Sequence, residues 1–133
     1  MASILKVDAL QGVTSAGDIT VTSEGGSATQ SLQQGLAKCW ANFNGQGTVA
    51  GRDSLNVSSL DDDGTGSYGV NMSSIFSSAD HSSHATCNAI GNFSTVEINS
   101  VNSVGVNSLR CWNDNPQVVD PDLVFTTSHG DLA

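Results

Sequence analysis

The stretch WANFNGQGTVAGRDSLNVSSLDDDGTGSYGVNM, residues 40–72, reads as β-structure from end to end. Entering it from residue 36, Cys39, Ala41 and Phe43 share one face of an extended chain while Lys38, Trp40 and Asn42 share the other, the period-2 signature of a half-buried strand. Asn44-Gly45 follows, a strong turn signal. Residues 48–50 and 54–60 read as the next strands, the second placing Leu55 and Val57 on one face. The run Asp61-Asp62-Asp63-Gly64-Thr65-Gly66 separates 54–60 from residues 67–72, where Tyr68, Val70 and Met72 alternate with smaller or polar neighbours, so the two predict a hairpin.

The rest of the chain continues in kind. Residues 85–90, 94–106 and 118–127 are candidate strands, with Asn113-Asp114-Asn115-Pro116 as the loop before the last. Turn signals every 8–12 residues or so, few helical periods and many β-branched residues predict a mainly β fold, an antiparallel β-sandwich or barrel-like domain. Residues 1–35 differ. Residues 3–10 half-alternate and 18–22 alternate cleanly, with Ile19 and Val21 on one face, so both read as short strands separated by the segment from Gly12 to Gly17. Glu24-Gly25-Gly26-Ser27 breaks the chain, and residues 28–35 offer one or two helical turns ending on Gly35. The expected organisation is an N-terminal arm over 1–35 and a β-rich domain over 36–133.

A chain of 133 residues holds one ordinary domain. Its core is lean, because Leu, Ile, Val and Phe make only about 23% of it, just above the ~20% level of disordered chains. A partner chain is therefore expected to supply missing burial. Ser, Thr and Asn make up about 30% while charged residues are 13%, so the surface is hydroxyl and amide rather than ionic. With 4 basic against 13 acidic residues, net −9, the chain cannot neutralise a phosphate backbone, which excludes nucleic acid as an expected partner. No apolar run approaches the ~20 residues of a membrane span, and MASILKVDALQG lacks the apolar core of a signal peptide. The expectation is a soluble product of a cytoplasm with no membrane partner. Cys39, Cys87 and Cys111 are odd in number and lack CxxC spacing, so buried free thiols are expected.

Residues able to carry chemistry are present but poorly arranged. Asp61, Asp62 and Asp63 could gather Ca²⁺, yet they lack the alternating ligands and distal Glu of an EF-hand and read as a solvated turn. His81, His84 and Cys87 form HxxHxxC, but residues three apart on a strand face opposite ways and SSADHSSHATC is a poor helix former, so loop histidines are expected rather than a metal site. No G-x-S-x-G elbow accompanies the many serines, and a histidine three residues from a cysteine is weak support for a dyad. No acid pair stands out among aromatics that are only 5% of the chain, against glycoside hydrolysis. The sequons at Asn56, Asn71 and Asn92 need a secretory route, and Trp40 and Trp112 read as packing residues. The expectation is no catalysis, no cofactor and no metal.

Three segments carry a family likeness: MASILKVDALQGVTSAGDITVT at 1–22, the block at 40–72 and HGDLA at 129–133. Together, and most specifically through W-x-N-F-N-G-x-G-T-V-A and D-x-G-T-G-x-Y-x-V-N, they resemble small fibre-like virion proteins of tailed phages, especially marine ones. SSIFSSADHSSHATC, at 73–87, departs from that pattern. The resemblance implies a β-rich component of the outer virion surface, a homotrimer whose N-terminal segment joins its neighbours. The favoured expectation is a capsid decoration (cement) protein bound to the major capsid protein, attached through Ile4, Leu5, Val7, Leu10, Ile19 and Val21. The alternative is a short tail or head fibre binding a host surface glycan through outer loops carrying Asp61, Asp62, Asp63, His81, His84, Asn113 and Asp114.

Overall fold

The computed structural model describes residues 4–15, 18–88, 94–98 and 103–133. The chain divides into two units, Met1–Leu36 and Ala37–Ala133. In the first, β1 (Thr20–Thr22) pairs antiparallel with β2 (Thr29–Ser31), Thr20 opposite Ser31. Gly26 holds the turn between them at φ +73°, with its N–H donating to Ser23 O at 2.8 Å. The four-residue α1 (Leu32–Gly35) follows directly, its first turn capped by Ser31 Oγ, which accepts from Gln34 N at 3.4 Å. The helix expected over 28–35 is thus half strand and half helix, since one turn without a buried face cannot repay helix nucleation further upstream. Residues 4–10 form no strand, against expectation, and 18–22 shrinks to Thr20–Thr22. A strand exists only as one side of a hydrogen-bonded ladder, and of the two expected strands only the second has, among the described residues, a partner, β2.

The second unit is a β-sandwich. Its strands are β3 (Cys39–Asn44), β4 (Ala50–Leu55), β5 (Val57–Asp62), β6 (Ser67–Met72), β7 (Ser82–Cys87), β8 (Ser94–Ile98), β9 (Val106–Asn113) and β10 (Val124–His129). They form two four-stranded sheets, β4-β3-β10-β7 and β5-β6-β9-β8, antiparallel throughout. The hairpin expected around Gly64 is β5–β6, with Asp62 opposite Tyr68.

Between the sheets lie the inward faces of the central strands: Cys39, Ala41 and Phe43 from β3, Tyr68, Val70 and Met72 from β6, Leu109 and Cys111 from β9, Val124 from β10. Alternation placed the β3 and β6 sets correctly. Phe43 meets Tyr68 edge-to-face across the gap, centroids 5.4 Å apart at 74°, the favoured quadrupole arrangement.

Residues 54–60 are not one strand. Asn56, at φ 59°, breaks them, so Leu55 ends a strand of one sheet and Val57 begins a strand of the other. Asn is among the few residues that tolerate this left-handed conformation. Its amide is held in place as well, Oδ1 accepting from Ser74 N at 2.7 Å and Nδ2 donating to Ser74 O at 2.8 Å. Leu55 and Val57 therefore do not share a face: Leu55 is 46% exposed while Val57 packs against the core.

The later strands also shift. The candidate at 85–90 begins at Ser82, and its residues 89–90 lie outside those described. Residues 94–106 divide into β8 and the start of β9, and 118–127 contributes a strand only from Val124, with Val118 bridged to Trp112.

Gly66 closes the β5–β6 loop at φ +66°, where a Cβ would sit 2.8 Å from the backbone N and O of Val119 and 2.9 Å from Cys111 O. Because the obstacle is backbone, nothing there yields cheaply. Gly66→Ala is expected to destabilise by about 3 kcal/mol through strain and overpacking together. A urea unfolding midpoint equal to wild type would contradict this.

Candidate functional site

Of the six residues expected to attach the arm, all in the first unit, five are exposed and one is half-buried. Ile4 is 79% exposed, Leu5 77%, Val7 52%, Leu10 58% and Val21 49%, while Ile19 is half-buried. No residue described in this unit is fully buried.

The expected recognition loops are rearranged. Asp61 and Asp62 belong to β5 rather than to a loop tip: Asp61 Oδ2 accepts from Asn71 Nδ2 at 2.7 Å, and Asp62 Oδ1 accepts from Gly64 N at 3.1 Å, the Asx turn its composition suggested. Asp63 is exposed in the turn, its N–H bonded to Ser67 O. His84 sits in β7 with its side chain on the outer face of that sheet, not in a loop. Asn113 ends β9 and organises the following turn, its Oδ1 accepting from Asn115 N and Gln117 N at 3.0 Å each, beside half-buried Asp114.

His81, also expected on a loop tip, points inward. It stacks on Phe76, centroids 4.1 Å apart, with Nε2 3.1 Å from Asn107 Oδ1 and Nδ1 3.3 Å from Ser78 O. His81, His84 and Cys87 therefore do not converge, and among the described residues no three His, Cys, Asp or Glu gather for a metal.

Around His81 lies a polar cluster that the sequence reading missed. Asn107 Nδ2 donates to Ser128 Oγ at 2.6 Å, Ser83 Oγ donates to Asn107 Oδ1 at 3.1 Å, and Ser83 and Ser128 hydroxyls lie 3.0 Å apart. Asn107 and Ser128 are completely buried. Reading 94–106 as one strand hid the signal, because Asn107-Leu109-Cys111 alternates inward only once β9 is counted from Val106. The cluster holds two serines and a histidine, yet Ser83 hydrogen-bonds Asn107 and Ser128 rather than His81, so no base draws the proton from a hydroxyl.

At the opposite end Tyr68 Oη lies 2.9 Å from Asp120 Oδ1 and 3.0 Å from Gly45 O, and Gly66 N donates to the same Asp120 oxygen at 2.6 Å. Burial, then the Asp120 hydrogen bond and charge, push the Tyr68 phenol above its ordinary range. Cys39 and Cys111 are buried and Cys87 half-buried, all as free thiols. Burial raises Cys39 to about 11 and Cys111 to about 12, the latter aided by the neighbouring Cys87 thiol. Buried thiols held protonated at neutral pH are poor nucleophiles.

The outer face of the β4-β3-β10-β7 sheet carries what composition could not place. Register aligns Leu55, Trp40, Thr127 and His84 in one cross-strand row, and Asp53, Asn42, Phe125 and Thr86 in the next. Trp40 is thus an outer-face residue and not part of the core. Trp112 is half-exposed with the Arg110 guanidinium 5.9 Å from its ring centroid. At the β4–β5 edge the sheets part around a cavity of about 310 Å³ lined by aliphatic Val49, Val57 and Leu60 and by polar Asn42, Asp53 and Ser58.

Raised thiol and phenol values fix the sign of the pH response. The folded state keeps protons that the unfolded chain gives up, so the contribution is complete below pH 9 and is lost as pH climbs toward 11–12. The thermal midpoint is expected to fall steadily from pH 9 to pH 11; a midpoint flat over that range would contradict burial of these groups.

No family model, curated protein or solved structure matches this chain.

Proposed function

We propose that this chain is a non-enzymatic structural protein of a phage virion, a homotrimeric decoration protein that reinforces the head by bridging neighbouring subunits of the major capsid protein. The single observation carrying the proposal is the pairing of a sandwich that has its own buried core with an arm whose apolar side chains lie open: Ile4, Leu5, Val7 and Leu10 are each at least half exposed. Such a segment finishes burying itself only in the company of other polypeptides. The likeness to small virion proteins in residues 1–22 and 40–72 supports the same reading, as does a surface rich in hydroxyls and amides.

The energetics favour several arms acting together. Burying four aliphatic side chains contributes about 6–12 kcal/mol, while fixing the backbone of residues 4–10 costs about 7–14 kcal/mol. One arm alone therefore holds weakly. Three arms on a trimer convert the second and third contacts into intramolecular ones and make the attachment durable. Cement function requires nothing more, since added interface area is what resists internal pressure.

Deleting residues 1–22 is expected to leave a cooperatively folding remainder that binds particles at least about tenfold more weakly, a loss of roughly 1.4 kcal/mol or more. Co-sedimentation with purified phage heads measures it, and undiminished occupancy would refute the attachment role. Cryo-EM localisation tests the site of action: density over the head supports decoration, density confined to the tail replaces it with the fibre reading, and absence from particles removes both.

A further inference from the structure

We propose that residues 4–7 of one copy add as an extra antiparallel strand to the open edge of β4 in a second copy, with Ile4 opposite Leu55, Leu5 opposite Ser54 and Lys6 opposite Asp53. The inference deepens the attachment reading of the arm, on which it rests, by naming what the arm grips first. Its acceptor is unusual. Strand β4 pairs only with β3, and all six of its residues are exposed, so its outer edge presents a row of backbone groups to solvent. Beneath that edge the sheets part around the cavity of about 310 Å³, whose lining joins Val49, Val57 and Leu60 to polar Asn42, Asp53 and Ser58. Gly51 and Ser54, small residues on β4, leave this space open.

The donor is the complement of that site. Ile4, Leu5 and Val7 are exposed and belong to no ladder. A strand added to β4 gives its backbone partners, and its alternate side chains enter the cavity between the sheets, the chemistry of β-augmentation.

Side-chain chemistry selects the register. Ser54 is paired with Ala41 and so lies on the inner face, whereas Leu55 and Asp53 are paired with Trp40 and Asn42 on the outer face. In the proposed register Leu5 enters the cavity and Val7, two residues on, follows it toward Leu60, which lies beside Gly51. Ile4 then extends the Leu55–Trp40 row, and the Lys6 ammonium meets the Asp53 carboxylate on the solvent side. Slipping by one residue reverses every side chain: Leu5 is expelled from the cavity and Lys6 no longer lies opposite Asp53.

Mixing two single variants of the full chain tests the contact between copies. K6C and D53C, combined in equal amounts and oxidised gently, are expected to yield the 6–53 disulfide by peptide mass spectrometry. Directly opposed cross-strand positions are close enough for that bond. The yield should exceed that of K6C mixed with V118C, an exposed position on another surface, by at least roughly fivefold. Equal yields overturn the proposal. So does a disulfide that forms only within single chains of a K6C/D53C double variant, which would mean that the arm serves its own sandwich.

A charge exchange gives an independent reading. K6D is expected to shift the sedimenting multimer toward monomer, and K6D/D53K to restore it; failure to restore excludes the register. Particle assays keep the two proposals apart. A disulfide that forms while the protein is absent from phage heads sinks the virion reading alone. Head binding that needs residues 1–22 without the 6–53 disulfide sinks this one alone.

Discussion

Tyr68 fastens the two sheets to each other. Its ring leaves one sheet and packs edge-on against Phe43 of the other, while its hydroxyl reaches past the core to Asp120 and the Gly45 carbonyl. Asp120 also takes the Gly66 N–H, so one carboxylate ties the β5–β6 loop to the chain leading into β10. Gly45 N returns a bond to Pro121 O at 3.0 Å, closing the ring of contacts. In a core of ten buried apolar or thiol-bearing residues, one aromatic ring this large carries much of the cohesion. Held at this point, β3 and β6 face each other across the core.

The opposite end of the sandwich is held differently. There Asn107, Ser83 and Ser128 fill the space that larger aliphatic residues would occupy, and Thr126 Oγ1 bonds the His84 carbonyl at 3.1 Å. Buried hydroxyls and amides left unpaired would cost about 1–3 kcal/mol each, so this end is stable because its members satisfy one another. Such a network has a single good arrangement. It fixes the depth at which β7, β9 and β10 meet, which an all-aliphatic filling of the same volume would leave free to slide. A lean hydrophobic composition and a defined fold are reconciled in this way.

The sandwich is fixed at both ends, whereas Ile4, Leu5, Val7 and Leu10 of the first unit are exposed. Strand β4 carries Arg52 and Asp53 and a register irregularity beside Asn42 and Phe43, features that protect an edge from indiscriminate pairing. Arg52 is itself tied down, its guanidinium donating to Asp122 O at 2.6 Å and Phe43 O at 3.2 Å.

Alternation alone identified the strands around residues 39–43 and 67–72, the hairpin through Gly64 and the mainly β class, because side chains on a strand take opposite faces whatever the strand pairs with. It also marked the aliphatic positions of residues 4–10, though their cover was not legible. What required the tertiary structure was where strands end and which sheet they join. Asn56 turns the chain out of one sheet into the other through a single backbone angle, and residue pattern on either side of it looks continuous. The inward turn of His81, the burial of Asn107 and the outward placement of Trp40 depend on partners far away in sequence. Local periodicity records only that a residue has a face; contacts between distant strands decide which face becomes the interior.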